Sequence, residues 1–163
     1  MRRSCERWIR TRPEPRALAL ILLLAGCSRP PGTPTEHARD LIERYVDLER
    51  RYDPALLDLY ADSGHMEKYL VTRAGDTMEL GGVSLASWKR GMLPDLEAAR
   101  ANGATNRYLD VSYEPDGDFV RVKIRRHQDP PGVELGEEML VGPGPDSVWY
   151  IWRERAQVHS TRY

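Results

Sequence analysis

Apolar positions change spacing along the chain, and each change marks an element. From Ala38 they recur as Leu41, Ile42, Tyr45, Val46, Leu48 and Tyr52, with charged residues between, a helical period that predicts a helix capped by Thr35. Asp53-Pro54 restarts a short helix with Leu56, Leu57, Leu59 and Tyr60 on its buried side, and Asp62-Ser63-Gly64 breaks it. Strand-like pieces follow at Met66–Thr72 and Thr77–Leu80 around Arg73-Ala74-Gly75-Asp76, and Gly81-Gly82 ends them. Ser84 caps a third predicted helix that runs to Ala101, where Asn102-Gly103 closes it and Pro94 either kinks it or starts its second piece.

The last third alternates with the period of a strand. Val120, Val122 and Ile124 interleave with Arg121, Lys123 and Arg125, so one face is buried and the other meets water. Strands are predicted at Arg107–Tyr113 and Asp118–Arg126 across Glu114-Pro115-Asp116-Gly117. A second pair, Val133–Val141 and Ser147–Val158, spans Gly142-Pro143-Gly144-Pro145-Asp146. Helices come first and long strands last, which is a segregated α+β domain rather than an alternating βαβ one.

The first 26 residues follow another grammar. Met1 to Arg16 carries six arginines against two acids, then Ala17 to Ala25 runs apolar without a break. That run is too short for a span of roughly 20 residues, and with small residues after it reads as an export signal. A signal-anchor helix is the competing reading. Leu24-Ala25-Gly26-Cys27 resembles the lipobox of bacterial lipoproteins at every position. The resemblance implies cleavage before Cys27, lipid on its thiol, and anchoring in the cell envelope. Ser28 in place of a retention Asp points to the outer membrane if the host has two. More than one acyl chain is needed for lasting attachment, since each buried methylene contributes only about 0.8 kcal/mol. Residues 27–34 then form a Pro-rich tether, and 35–163 a single domain.

Charge and cysteine usage narrow the chemistry. The whole chain has a formal charge of −1, with 24 basic and 25 acidic residues. Without residues 1–26 the remainder is −5, which is no footprint for nucleic acid. Cys5 falls in the discarded segment and Cys27 is consumed by lipid, so no disulfide or thiolate site is expected in the domain.

Element order, a Tyr-Asp-Pro step at Tyr52-Asp53-Pro54 and Leu-Tyr-Ala-Asp at 59–62 resemble the nuclear transport factor 2-like superfamily, over roughly Thr35 to Ser160. That resemblance implies N-terminal helices packed on a curved antiparallel sheet, a cystatin-like cone. It also implies relatives such as ketosteroid isomerase beside members that only bind. The isomerase needs a carboxylate base, a Tyr and a protonated acid in one pocket. The sequence alone places no such set, and Asp53 and Asp58 read as helix caps or solvated residues. Tyr45, Tyr52, Tyr60 and Trp88 are the candidate pocket lining, with a packed core as the competing reading.

Other chemistry is thin. His37, His65, His127 and His159 are scattered, and His65 with Glu67 or His127 with Asp129 supplies two ligands where a metal site needs three or more. Gly142-Pro143-Gly144-Pro145 lacks the successive N–H groups of a phosphate loop, and no serine sits in a nucleophile elbow. No cofactor is expected. Trp149 and Trp152 fall on opposite faces of the last strand, so either a homodimer through the sheet or the chain's own tail covers the second face. Arg121, Lys123, Arg125 and Arg126 with Arg153 and Arg155 read as a basic strip, either solvated or attracted to anionic lipid. The resulting expectation is a non-catalytic, membrane-anchored lipoprotein whose domain binds a small apolar ligand or a protein. The alternative is a lipid-anchored isomerase, cyclase or hydrolase using a carboxylate and a Tyr.

Overall fold

The computed structural model describes residues 32–159 apart from Arg73 and Pro131; the export signal, Cys27 and residues 28–31 of the tether lie outside the described residues. Helix α1, Pro34–Arg50, starts two residues earlier than Thr35 would place it. Its cap is Thr33, whose Oγ1 accepts from the Glu36 amide at 3.3 Å while Glu36 Oε2 accepts from the Thr33 amide at 2.7 Å. This reciprocal box satisfies two orphan amide donors and puts Pro34 at the first helical position, where its missing N–H costs nothing. The end of the expected tether is therefore helical. Ala38, Leu41, Ile42, Tyr45, Leu48 and Glu49 form the buried stripe.

A 3₁₀ turn, Pro54–Leu59, follows with Asp53 as its cap. The strands are β1 (Tyr60–Val71), β2 (Thr77–Ser84), β3 (Thr105–Asp116), β4 (Phe119–Asp129), β5 (Val133–Pro143) and β6 (Trp149–His159). Helix α2, Leu85–Ala101, is capped by Ser84, runs through Pro94 and ends at Asn102 with Gly103 at φ +65°. The strands make one curved sheet in the order β2-β1-β6-β5-β4-β3. Its pairings are antiparallel except β1 with β6, so the sheet is mixed rather than wholly antiparallel.

Two expected breaks are irregularities within strands. Asp62-Ser63-Gly64 does not stop β1, which begins at Tyr60 opposite Ile151 and resumes at His65 opposite Arg153. Residues 61–64 bulge against the single residue Trp152, which is itself skipped in the β5–β6 register. Gly64 is required there, because a Cβ would overlap the Trp152 carbonyl and a Leu85 methyl. Likewise Gly81-Gly82 stays in β2, next to a register shift at Lys68/Tyr69. Glycine in an edge strand marks a bulge as readily as an end.

The core lies between the helices and the inner sheet face. Val120, Val122 and Ile124 of β4, Met139 and Val141 of β5, and Ile151 of β6 meet Ile42, Tyr45 and Leu48 of α1. Burying a side chain of this size contributes roughly 1.5–3 kcal/mol. By contrast, β2 is exposed along its whole length, and α2 fully buries only Leu85 and Leu96. Trp149 faces the helices, its ring stacked on His37 at 5.2 Å, whereas the Trp152 indole donates to the Gly142 carbonyl at 3.2 Å and lines an outer cleft.

Candidate functional site: an acidic cavity with aromatic walls

The inner faces of α1, α2, β4, β5 and β6 do not close completely. They leave a cavity of about 190 Å³. Tyr45, Tyr52, Tyr60 and Trp88 all line it, together with Leu56, Met92, Leu96 and Ala99. The remaining lining is polar: Glu49, Asp95, Arg126, Gln128, Glu137 and Glu154.

The aromatic wall is built by local geometry. Tyr60 opens β1 and packs its ring 4.7 Å from that of Trp88 on α2, while Tyr45 on α1 meets Tyr60 edge-on at 6.5 Å. Tyr52 lies just past α1 at φ +50°, a left-handed conformation that disfavours side chains other than glycine. Strain of this kind, of order 1–3 kcal/mol, persists only where the surroundings hold it. Here Asn106 Nδ2 donates to the Tyr52 hydroxyl at 3.2 Å.

Arg126 organises the polar wall. It sits on β4 in phase with Val120, Val122 and Ile124, so it points inward and does not belong to the basic strip. Its Nε donates to Glu137 Oε1 at 2.8 Å, its Nη1 to Asn106 Oδ1 at 2.6 Å, and its Nη2 lies 3.1 Å from Glu49 Oε1. The Tyr45 hydroxyl donates to Glu137 Oε2 at 3.4 Å, and the Tyr60 hydroxyl to Glu154 Oε2 at 2.5 Å. Glu49 Oε2 is buried with no hydrogen-bond partner.

Two of the three buried carboxyl groups thus share one guanidinium, and the third, Glu154, pairs with the Tyr60 phenol. Burial pushes the Glu49 carboxyl up to about 8; Arg126 opposes this, Glu137 adds to it, and Tyr45 opposes it. Burial, then the charge of Glu137, push Glu154 up to about 8 against the hydrogen bond from Tyr60. Burial and the same carboxylates raise the Tyr45 and Tyr60 phenols well above their ordinary range, which keeps both as donors. For Arg126, burial works against the charge but Glu137 and Glu49 outweigh it, so the guanidinium stays protonated. At neutral pH the cavity therefore holds neutral acids, an ion pair and phenol donors, a set able to donate or accept protons.

The outer cleft, about 550 Å³, is larger. Its acids Asp62 and Asp146 are exposed and already engaged: the half-buried Lys89 bonds Asp62 at 2.6 Å and the Tyr60 carbonyl, and Tyr150 donates to Asp146 at 2.9 Å. These hydrogen bonds lower the Asp62 and Asp146 carboxyls and raise the Tyr150 phenol, so each keeps its ordinary charge state at neutral pH. Of the histidine pairs, His127 lies 3.7 Å from Asp129, while Glu67 bonds Tyr69 and Arg155. Among the described residues no three His, Cys, Asp or Glu side chains are grouped to hold a metal ion.

No family model matches the chain, and no curated protein is similar enough in sequence to match it. Solved structures do resemble it. A nuclear transport factor 2-like protein with a cystatin-like fold from Novosphingobium aromaticivorans is 17% identical, with 77% of this chain and 81% of that one covered, at a TM-score of 0.52. A nuclear transport factor 2-like protein of unknown function from Pseudomonas putida is 13% identical, with 76% and 84% covered, at 0.53. Nuclear transport factor 2 from Cryptosporidium parvum is 12% identical, with 77% and 96% covered, at 0.50. The domain has the nuclear transport factor 2-like, cystatin-like fold. At these identities the likeness extends to the fold and not to an activity.

Proposed function

We propose that this chain is an envelope lipoprotein held at the membrane through Cys27, and that its domain takes a small ligand into the cavity between helices and sheet. The lipobox Leu24-Ala25-Gly26-Cys27 supports the anchor. The single observation that carries the binding reading is a cavity in which an aromatic wall meets three buried carboxyl groups, Glu49, Glu137 and Glu154. Acids gathered out of water around a single cation are costly, and a bound molecule that offers them a partner lowers that cost. The mixed lining selects a ligand with a polar end rather than a wholly apolar one.

The test is mass spectrometry of the full chain expressed in a bacterium. A denatured mass starting at Cys27 with diacylglycerol added, lost in Cys27→Ala, supports the anchor; an unmodified full-length mass in the soluble fraction overturns it. Native spectra from mild detergent report the cavity. A retained small molecule that disappears in Trp88→Ala supports binding, and an empty wild type that stays empty on incubation with small polar aromatic compounds overturns it.

The Tyr60–Glu154 pair favours a second reading, acid–base catalysis on the bound molecule. Glu49, once it has given up its proton, would then act as the base, and Glu154 with Tyr60 would donate to the oxygen that gains charge.

A further inference from the structure

Counted by charge, the cavity is incomplete. Glu49, Glu137 and Glu154 are each buried, and Arg126 is the one cation among the residues that line it. Arg126 divides its guanidinium between Glu137 and Glu49, and Glu154 has only the Tyr60 phenol. A carboxylate removed from water is tolerated only with an opposite charge or a proton. The protein supplies one positive charge for three acids, and all three acidic side chains line the same cavity.

The nature of the missing charge follows from the other walls. A metal ion needs its ligands grouped around one point, and no such group exists among the described residues. What surrounds the void instead is aromatic: Tyr45, Tyr52, Tyr60 and Trp88. Ring faces attract a positive charge spread over carbon and nitrogen, and the attraction reaches about 2 kcal/mol when the site is dry. At the rim, Asp95 on α2 is exposed and adds a further acid on the path in.

We propose that the cavity is built for an organic ammonium, a small amine or quaternary ammonium with an apolar body, whose charge completes the Glu49–Arg126–Glu137–Glu154 cluster while its body lies against the rings. This deepens the ligand-binding reading and rests on it. An anion is excluded by the three acids, and a neutral alcohol would leave the acids protonated. Binding is then an exchange: the cation enters, and a carboxyl group of Glu49 or Glu154 releases its proton to water. Both acids are protonated at neutral pH in the empty site, with Tyr45, Tyr60, Arg126, Glu137 and the rim residue Asp95 as the titratable groups around them. Affinity for the cation therefore rises with pH up to about 8; above that it levels off for a quaternary ammonium and falls for an amine once the amine loses its own proton.

The experiment uses the full chain in mild detergent, titrated with benzylamine, benzyl alcohol and benzoate, three probes of nearly equal shape and different charge. Binding is read by tryptophan fluorescence and by calorimetry in two buffers of unlike ionisation enthalpy. The expected result is benzylamine binding about tenfold or more tighter than benzyl alcohol, benzoate weakest, and proton release on amine binding. Glu49→Gln and Glu154→Gln should erase the preference for the amine. Asp95→Asn, at the exposed rim, should slow amine association. Equal binding of amine and alcohol, or tightest binding of benzoate, overturns the cation assignment while leaving the ligand pocket intact. No binding of any probe overturns both.

Discussion

Arg125 and Arg126 are neighbours on β4, and they live under different rules. Arg125 points outward and pairs with Asp110 at 2.7 Å, with both side chains more than half exposed. Around it the outer face is a ladder of matched charges: Arg121 with Asp116, Lys123 with Glu114, Arg155 with Glu67. The expected basic strip is thus largely neutralised by acids across the strands. Arg126 points inward with a side chain only 12% exposed, pairs with Glu49 and Glu137, and shares its cavity with a third acid, Glu154. Outside, acids and bases match and water forgives any mismatch; inside, one guanidinium meets three acids, and protons held on Glu49 and Glu154 make up the difference. Buried acids held protonated at neutral pH beside a cavity are the kind of arrangement that functional sites use.

The largest expected effect breaks the inner side of this comparison. Arg126→Met strands Glu49 and Glu137, and urea unfolding should show a loss of about 3–5 kcal/mol. Next, Gly64→Ala places a Cβ against the Trp152 carbonyl at the joint that turns Glu154 inward, and should cost about 1–3 kcal/mol with a weakened Tyr60–Glu154 bond. A third measurement uses pH. Glu49 and Glu154 titrate near 8 when folded against an ordinary 4.5, so the folded chain holds protons that the unfolded chain has released. Stability should therefore fall as pH rises from about 5 to 8 and then level, and Glu154→Gln should flatten the fall in a melting-temperature series. The smallest effect belongs outside: a double-mutant cycle of Arg125→Ala with Asp110→Ala should return about 0–1 kcal/mol, shrinking further in salt.

Much of this arrangement can be read from the sequence, because periodicity is a strong signal where burial is one-sided. The stripe of α1 and the alternation of β4 emerge as drawn, and so do the caps at Asp53 and Ser84. The inward acids are legible in hindsight from the same periods. Glu49 follows Tyr45 by one turn, Glu137 keeps step with Met139 and Val141, and Arg126 continues Val122 and Ile124. Charge at an apolar position was the signal, and grouping Arg126 with its basic neighbours obscured it. Glu154 is different in kind. Trp149 and Ile151 face in, yet Glu154 and Ala156 also do, which strict alternation forbids. The extra residue at Trp152 depends on how β6 meets both its neighbours, and no local pattern announces it. The strands that run past Asp62-Ser63-Gly64 and Gly81-Gly82 escaped for the same reason, since a glycine-rich bulge and a turn look alike in one chain.

That extra residue also makes pocket chemistry a matter of parity. Before Trp152 the odd-numbered side chains of β6 face the cavity side, and after it the even-numbered ones do. Arg153 and Arg155 stand one step either side of Glu154. Were the same slip to fall at Glu154 instead, Arg153 would turn inward, and the wall would change sign with every amino acid unchanged. In a lineage built on this fold, preference for cation or anion can therefore drift through the migration of a bulge, a route invisible to any comparison made letter by letter.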